Sequence, residues 1–97
     1  MRDLRIEWDP RKSRANKAKH GVSFEEARTA FLHEHVRIIP DEDHSEEEDR
    51  LILMGLCLKL RVLLVCHCYR ESDHVVRIIS ARRADPSERR QYSEYLP

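Results

Sequence analysis

A lysine, an asparagine and a histidine recur at helical spacing near the start of the chain. Lys12, Asn16 and His20 are separated by four residues each and therefore share one face of a helix. His20 lies at the predicted end of that helix, where the helix dipole favours a protonated imidazolium. A charged histidine beside lysines suits contact with a phosphate or proton donation to it. The alternative is a solvated helix whose basic side chains interact with its own last carbonyls.

A second basic group lies at the end of a segment rich in β-branched residues. Arg82 and Arg83 directly precede a predicted helix start, so guanidinium forks and helix N–H groups together suit a phosphate. Pairing of these arginines with acidic residues elsewhere in the chain is the alternative. Strict alternation in a strand predicts two faces, one with Ile78, Ser80 and Arg82, the other with Arg77, Ile79 and Ala81.

A carboxylate and a phenol follow on the last predicted helix. Glu88 and Tyr92 are i, i+4 neighbours, and they suit general acid–base chemistry if they face the two arginines. The simpler alternative is that Glu88 completes a capping box with Asp85 and that Tyr92 belongs to the core.

The segment Cys66-His67-Cys68 resembles a metal site only superficially. On a strand Cys66 and Cys68 point to one face and His67 to the other, so a single ion cannot bind all three. We therefore predict structural thiols and no metal site. The sequence also lacks a Gly-rich phosphate loop, so we expect no cofactor.

These groups are positioned by a predicted order β-α-α-β-β-β-β-α. Asp9-Pro10 begins the first helix and Gly21 ends it, while Ser23 and Glu26 form a capping box for the second. Consecutive strands joined by short turns predict an α+β fold in which a small antiparallel sheet carries two N-terminal helices and one C-terminal helix. We expect the helices to cover one face of the sheet and to leave the other partly open. The strands are predicted near residues 4–8, 36–39, 50–58, 61–69 and 75–81, and the last helix from Asp85.

Composition limits the class of protein. The chain has 97 residues, 40% hydrophobic and 37% charged, and we expect one domain over residues 1–97. Three cysteines are too few for a disulfide framework, and we find no signal peptide and no apolar membrane span, so we expect a cytoplasmic protein. The formal net charge is zero, yet both ends are basic (net +4 over 1–20 and +3 over 59–97) and the middle is acidic (net −7 over 21–58). If the two ends meet, they form a basic surface that attracts polyanions.

The acidic run 41–49 is predicted to be a solvated loop, since like charges repel and nothing in it can be buried. A further hypothesis is that this run docks a basic partner.

Four segments, taken together and in this order, resemble the BrnT (DUF497) family of ribonuclease toxins of type II toxin–antitoxin pairs. The resemblance covers nearly the whole chain, although Leu60 stands at a turn position where the family usually has Gly. The segments are Glu7-Trp8-Asp9-Pro10, Asn16-Lys17-Ala18-Lys19-His20-Gly21-Val22-Ser23-Phe24, Arg50 with the apolar strand up to Gly55, and Arg77-Ile78-Ile79-Ser80-Ala81-Arg82-Arg83-Ala84 with Glu88-Arg89 and Tyr92.

The resemblance implies a fold similar to that of RelE-type RNases, an RNA substrate and a BrnA-like ribbon-helix-helix antitoxin. Operator DNA would be bound only through the toxin–antitoxin complex. The implied catalytic residues are His20, Arg50, Ser80, Arg82, Arg83, Glu88 and Tyr92. RNA binding is assigned to Lys12, Asn16, Lys17, Lys19 and Arg77.

Our leading hypothesis from the sequence is a metal-independent endoribonuclease in which the RNA 2′-OH attacks the adjacent phosphate. Arginines stabilise the charge that develops on phosphorus, and His20, Glu88 or Tyr92 moves protons. The alternative is a non-catalytic module that binds nucleic acid or a protein partner through the same basic surface.

Overall fold

The computed structural model describes residues 5–42, 49–70 and 74–97. The predicted order of elements is confirmed within these ranges, whereas Leu4 of the predicted first strand and residues 43–48 of the acidic run lie outside them. The elements are β1 (Arg5–Glu7), α1 (Pro10–His20), α2 (Phe24–Ala30), β2 (Arg37–Pro40), β3 (Arg50–Leu56), β4 (Val62–Arg70), β5 (Val75–Arg83) and α3 (Pro86–Tyr95).

The strands form one five-stranded sheet in the order β1-β5-β4-β3-β2. The three pairings among β2, β3, β4 and β5 are antiparallel, but β1 runs parallel to β5. The prediction of a purely antiparallel sheet was therefore wrong. Parallel neighbours need a long crossover connection, and here residues 8–74 separate the two strands, so no local turn signal reports their pairing.

Local signals placed the helix ends correctly. Asp9 accepts the backbone N–H of Arg11 at 2.9 Å, and Gly21 ends α1 with φ of 74°, a conformation that glycine adopts without strain. Asp85 and Glu88 form the complete capping box predicted for α3. The box predicted for α2 is half formed, because Ser23 accepts the N–H of Glu26 while the Glu26 carboxylate binds Arg61.

The helices lie on both faces of the sheet. Phe24, Ala27 and Ala30 of α2 are fully buried against Leu53 and Val65 on one face. Tyr92 of α3 is buried on the other face, in a second cluster with strand residues that alternate away from the first, among them Met54 and Leu64. The prediction that all helices cover one face was wrong, because a connection of two residues between β5 and α3 lets the last helix turn to either side.

A β-bulge between β4 and β5 changes which side chains share a face. Cys66 pairs with Ser80 and His67 with Ile78, so Ile79 has no partner on β4. The extra residue moves Arg77 onto the face of Ser80 and Arg82. The predicted division of this segment was therefore wrong, because strict alternation fails at a bulge.

The β3–β4 hairpin is tied to α2 by a buried carboxylate. Glu26 is 6% exposed and accepts hydrogen bonds from Arg61 Nε at 2.8 Å and from the Cys57 thiol at 3.1 Å. Burial alone would raise the pKa of Glu26, but these hydrogen bonds outweigh it and hold the pKa below its ordinary value. At the hairpin tip Leu60 has φ of 62°, a left-handed conformation that favours Gly, the residue usual at this turn position in the resembling family.

No helix within the described ranges has the length and apolar character needed to span a bilayer.

Candidate active site

Asn16 fixes helix α1 against the edge of the sheet. β1 ends at Glu7, so within the described part of the chain no strand flanks the last part of β5 on that side, and the Asn16 side chain takes the place of one. Its Nδ2 donates to the Ala81 carbonyl at 2.8 Å, and its Oδ1 accepts the Ala81 N–H at 3.1 Å. The same Nδ2 donates to the Val22 carbonyl at 2.8 Å, and the residue is 8% exposed. Asn16 was predicted to bind RNA, whereas its amide is committed to the backbone.

The helical face predicted for Lys12, Asn16 and His20 thus follows β5. With Asn16 held at Ala81, Lys12 and His20 each line one of two cavities on the sheet. The sparse apolar content of α1 is explained, because its buried residues are the polar Ser13 and Asn16.

Three rows of side chains cross β3, β4 and β5 on the face that α3 partly covers. In each row the β4 residue lies between one residue of β3 and one of β5. The rows are Arg50–Cys68–Arg77, Ile52–Cys66–Ser80 and Met54–Leu64–Arg82. Because strand residues rise about 3.3 Å each, the four steps from Cys68 to Leu64 cover about 13 Å.

The first cavity, called here the Arg82 cavity, has a volume of about 430 Å³. Four of the predicted catalytic residues line it: His20, Arg50, Ser80 and Arg82. They come from α1, β3 and β5, which are distant in sequence. The structure therefore brings these four together on one surface.

The second cavity, called here the Arg77 cavity, has a volume of about 670 Å³ and shares Arg50 and Ile79 with the first. Lys12 and Arg77, both predicted to bind RNA, line it together with Arg70. The two cavities therefore adjoin and form one groove over the rows.

Arg82 is paired with Glu88 at the rim of the Arg82 cavity. Nη1 and Nη2 of the guanidinium donate to the two carboxylate oxygens, each at 2.8 Å. Glu88 also accepts the Asp85 N–H at 2.9 Å, so it positions Arg82 and completes the helix cap at once. The hydrogen bonds from Arg82 hold the pKa of Glu88 below its ordinary value. An anionic Glu88 is suited to orient Arg82 and poorly suited to donate a proton.

Two polar residues that line the Arg82 cavity, Asp41 and Cys66, were not among the predicted site residues. Asp41 is 8% exposed and accepts a hydrogen bond from the Cys66 thiol at 3.4 Å. Burial, and then this contact, raises the pKa of Cys66 to about 11, so the thiol stays protonated at neutral pH. Asp41 was assigned to a solvated acidic run, and nothing in its local sequence distinguishes it from its neighbours.

The remaining predicted site residues lie elsewhere. Arg83 pairs with the core residue Leu63 and so alternates away from Arg82. Tyr92 is buried and donates its hydroxyl to the His35 carbonyl. Lys17 and Lys19 are exposed on α1 and line neither cavity.

The Cys66-His67-Cys68 segment alternates as predicted. His67 is fully buried on the α2 face with its ring edge-on to Phe31, while Cys66 and Cys68 lie on the groove face. Among residues 5–42, 49–70 and 74–97, no three His, Cys, Asp or Glu side chains are grouped to hold a metal ion.

Comparison with known proteins identifies the family. Residues 8–88 match the family model described as the ribonuclease toxin, BrnT, of type II toxin–antitoxin systems. The structure is similar to the 1.1 Å crystal structure of the Brucella abortus ribonuclease toxin, BrnT, with a TM-score of 0.65 and 25% sequence identity. That match covers 84% of this chain and 97% of the other. No curated protein matches the chain. The family match and the structural match confirm the resemblance drawn from the sequence.

Proposed function

Because the chain belongs to the BrnT family of ribonuclease toxins of type II toxin–antitoxin systems, we propose that the Arg82 cavity is where it cleaves RNA. The observation that carries the proposal is the convergence of His20, Arg50 and Arg82 from three separate elements on one cavity. Two guanidiniums and an imidazole at one concave site are the groups that a metal-independent phosphodiester cleavage requires.

The reaction we propose is an internal transfer at phosphorus. The ribose 2′-OH loses its proton to a base, and its oxygen attacks the adjacent phosphorus. The 5′-oxygen of the next nucleotide leaves and takes a proton. The products are a 2′,3′-cyclic phosphate and a 5′-hydroxyl, and no metal ion, redox partner or water is consumed in this step.

The cavity suggests how the roles divide. Arg82, held by Glu88, and Arg50 stabilise the negative charge that builds up on the phosphoryl oxygens. His20 is the proton-transfer group that best fits, because Glu88 is engaged by Arg82 and the Tyr92 hydroxyl by a carbonyl. Ser80 lines the same cavity and donates a hydrogen bond to the substrate.

The test is cleavage of a defined single-stranded RNA in excess EDTA, with the ends identified by mass. We expect a cyclic phosphate, and we expect a single 2′-deoxy substitution at the cleaved position to stop the reaction there. His20→Gln should lower the rate about 10²-fold. The matched control is His74→Gln, an exposed histidine that lines neither cavity. Dependence on added metal, or a 5′-phosphate product, would remove this mechanism, and binding without cleavage would favour a non-catalytic module.

The toxin has an antitoxin partner by virtue of its family. We further propose that this partner is a BrnA-like ribbon-helix-helix protein, that operator DNA is bound only by the complex, and that the pair acts in the cytoplasm. We also propose that residues 1–97 form one domain similar in fold to RelE-type RNases. Co-expression with the adjacent reading frame, followed by purification and an operator-binding assay with each protein alone, tests the partner and the DNA claim.

A further inference from the structure

Among the described residues, the Arg77 cavity carries more positive charge than the Arg82 cavity. Besides Arg50, which lines both cavities and is counted below with the Arg82 cavity, three cations line it: Lys12, Arg70 and Arg77. Within the part of the chain that the structure describes, the carboxylates at this site are Asp49, which lines it, and Glu7, which binds two of its arginines. Among these described residues, the three cations exceed the two carboxylates by one formal charge.

The Arg82 cavity is closer to neutral. Its two arginines, Arg50 and Arg82, are matched among the described residues by Asp41 in the wall and by Glu88 at the rim. The cavity that best fits the chemistry is therefore not the one that best attracts an anion. The residues that attract an anion most strongly and the residues suited to cleavage therefore lie in two adjoining cavities that share Arg50.

Glu7 controls how strongly the Arg77 cavity attracts an anion. Its Oε2 accepts Arg77 Nη1 at 3.0 Å and lies 3.6 Å from Arg70 Nη1. The Glu7 side chain is 44% exposed, so this pairing contributes little to stability and orients the arginines instead. Each guanidinium has five N–H donors, so donors remain for a phosphate.

The length of the groove sets the size of the ligand. The rows from Arg77 to Arg82 cover about 13 Å along β4, which exceeds one phosphodiester group. A single RNA strand that presents its scissile phosphate at Arg82 can therefore place a phosphate one or two nucleotides away over Arg77.

We propose that the Arg77 cavity is a subsite for a flanking, non-scissile phosphate of single-stranded RNA, with Lys12 and Arg77 as its anchors and Glu7 as the group that limits its affinity. This inference rests on the proposed function for the position of the scissile phosphate at Arg82, but it concerns binding and not the chemical step. Substrate recognition then requires at least two consecutive phosphodiesters, and a dinucleotide with a single phosphodiester is a poor ligand.

The experiment measures binding of uncleavable 2′-deoxy oligonucleotides of one and of three phosphodiesters by fluorescence anisotropy. For the wild type we expect the longer ligand to bind about 10-fold or more tightly, since a charge-assisted hydrogen bond contributes about 1.5–3 kcal/mol. Lys12→Gln and Arg77→Gln should each remove most of that gain. Lys12→Gln should also reduce the salt dependence of binding by about one counterion.

Glu7→Gln gives the opposite result and excludes a merely structural effect. Removal of this carboxylate should tighten binding of the longer ligand several-fold. Arg90→Gln, an exposed arginine of α3 that lines neither cavity, is the control and should change neither affinity. Melting curves check each variant, and Lys12 is exposed on α1, so its substitution leaves the fold intact.

The outcomes separate the two proposals. Equal affinity of the wild type for both ligands, or a gain that survives Lys12→Gln and Arg77→Gln, overturns the subsite even if RNA is cleaved. A length-dependent gain that these substitutions remove supports the subsite even if no RNA is cleaved, and in that case the proposed function fails alone.

Discussion

Replacement of Arg82 tests the proposed chemistry most directly. Its guanidinium is fixed by two hydrogen bonds of 2.8 Å to Glu88, and its side chain is 46% exposed at the rim of the cavity. Loss of one preorganised donor to developing charge costs about 2.7–4 kcal/mol, or about 10²–10³ in rate. Because solvent reaches Arg82, we expect the lower limit for Arg82→Ala, a fall of about 10²-fold in single-turnover cleavage.

The cost in stability should be much smaller. An ion pair that is partly open to solvent contributes about 1 kcal/mol or less, and Glu88 keeps its role in the helix cap. For a chain of this size that loss lowers the melting temperature by roughly 4–8 °C at most. Arg82→Ala therefore separates activity from folding.

Two companion variants sharpen the reasoning. Arg82→Lys keeps the charge but lacks the planar fork, and it should recover only part of the rate. Glu88→Gln should lower the rate less than 10-fold if Glu88 positions Arg82, whereas a loss equal to that of Arg82→Ala would make Glu88 a proton-transfer group. Cleavage by Arg82→Ala at the wild-type rate would take Arg82 out of the site.

Three further predictions concern the parts that hold the site together. Asn16→Ala leaves the N–H and carbonyl of Ala81 without their partner, so it should lower the free energy of unfolding by about 3 kcal/mol in chemical denaturation. Arg14→Ala on the same helix is the control and should change this free energy very little. An Asn16→Ala protein of unchanged stability would refute the structural role. Glu26→Gln should destabilise the fold by about 2 kcal/mol at neutral pH. The difference from wild type should shrink as pH falls from the ordinary Glu pKa of 4.5 through the lower pKa of the folded protein, because protonation then removes the same charge from the wild type. A difference independent of pH would contradict this. Burial lowers the pKa of His67, whose Nδ1 donates to the Val65 carbonyl at 3.0 Å and whose Nε2 has no hydrogen-bond partner among the described residues. The stability of His67→Phe relative to wild type, followed by thermal melting, should therefore rise as pH falls below 6.5, where the unfolded histidine becomes protonated. A relative stability that does not depend on pH would contradict this.

Local sequence signals were sufficient for the elements but not for their arrangement. Asp9-Pro10, Gly21 and the Asp85–Glu88 box act within a few residues, and the ends of α1 and α3 lie where they indicate. The parallel pairing of β1 with β5 joins residues some seventy positions apart, for example Ile6 with Val76, and no turn chemistry reports it. Helix ends are therefore readable from one sequence, while long-range pairing is not.

The candidate site was predictable in its residue types and less so in its geometry. The helical spacing of Lys12 and His20 correctly indicated one face, and the central polar residue of that face proved to be a backbone partner instead of a ligand for RNA. The bulge at Ile79 moved Arg77 to the groove, because one unpaired residue inverts the alternation of everything beyond it. Asp41 entered the site through burial alone, a property that only the folded chain has.

The contact between Asn16 and Ala81 also determines when the groove can form during synthesis of the chain. Translation delivers α1 early, but the strand edge that receives it leaves the ribosome only near the end, so the groove cannot assemble on a nascent chain that stops before β5. Under the proposed function, RNA cleavage therefore begins only after β5 has been made, and a chain that stops earlier has no groove in which to cleave RNA.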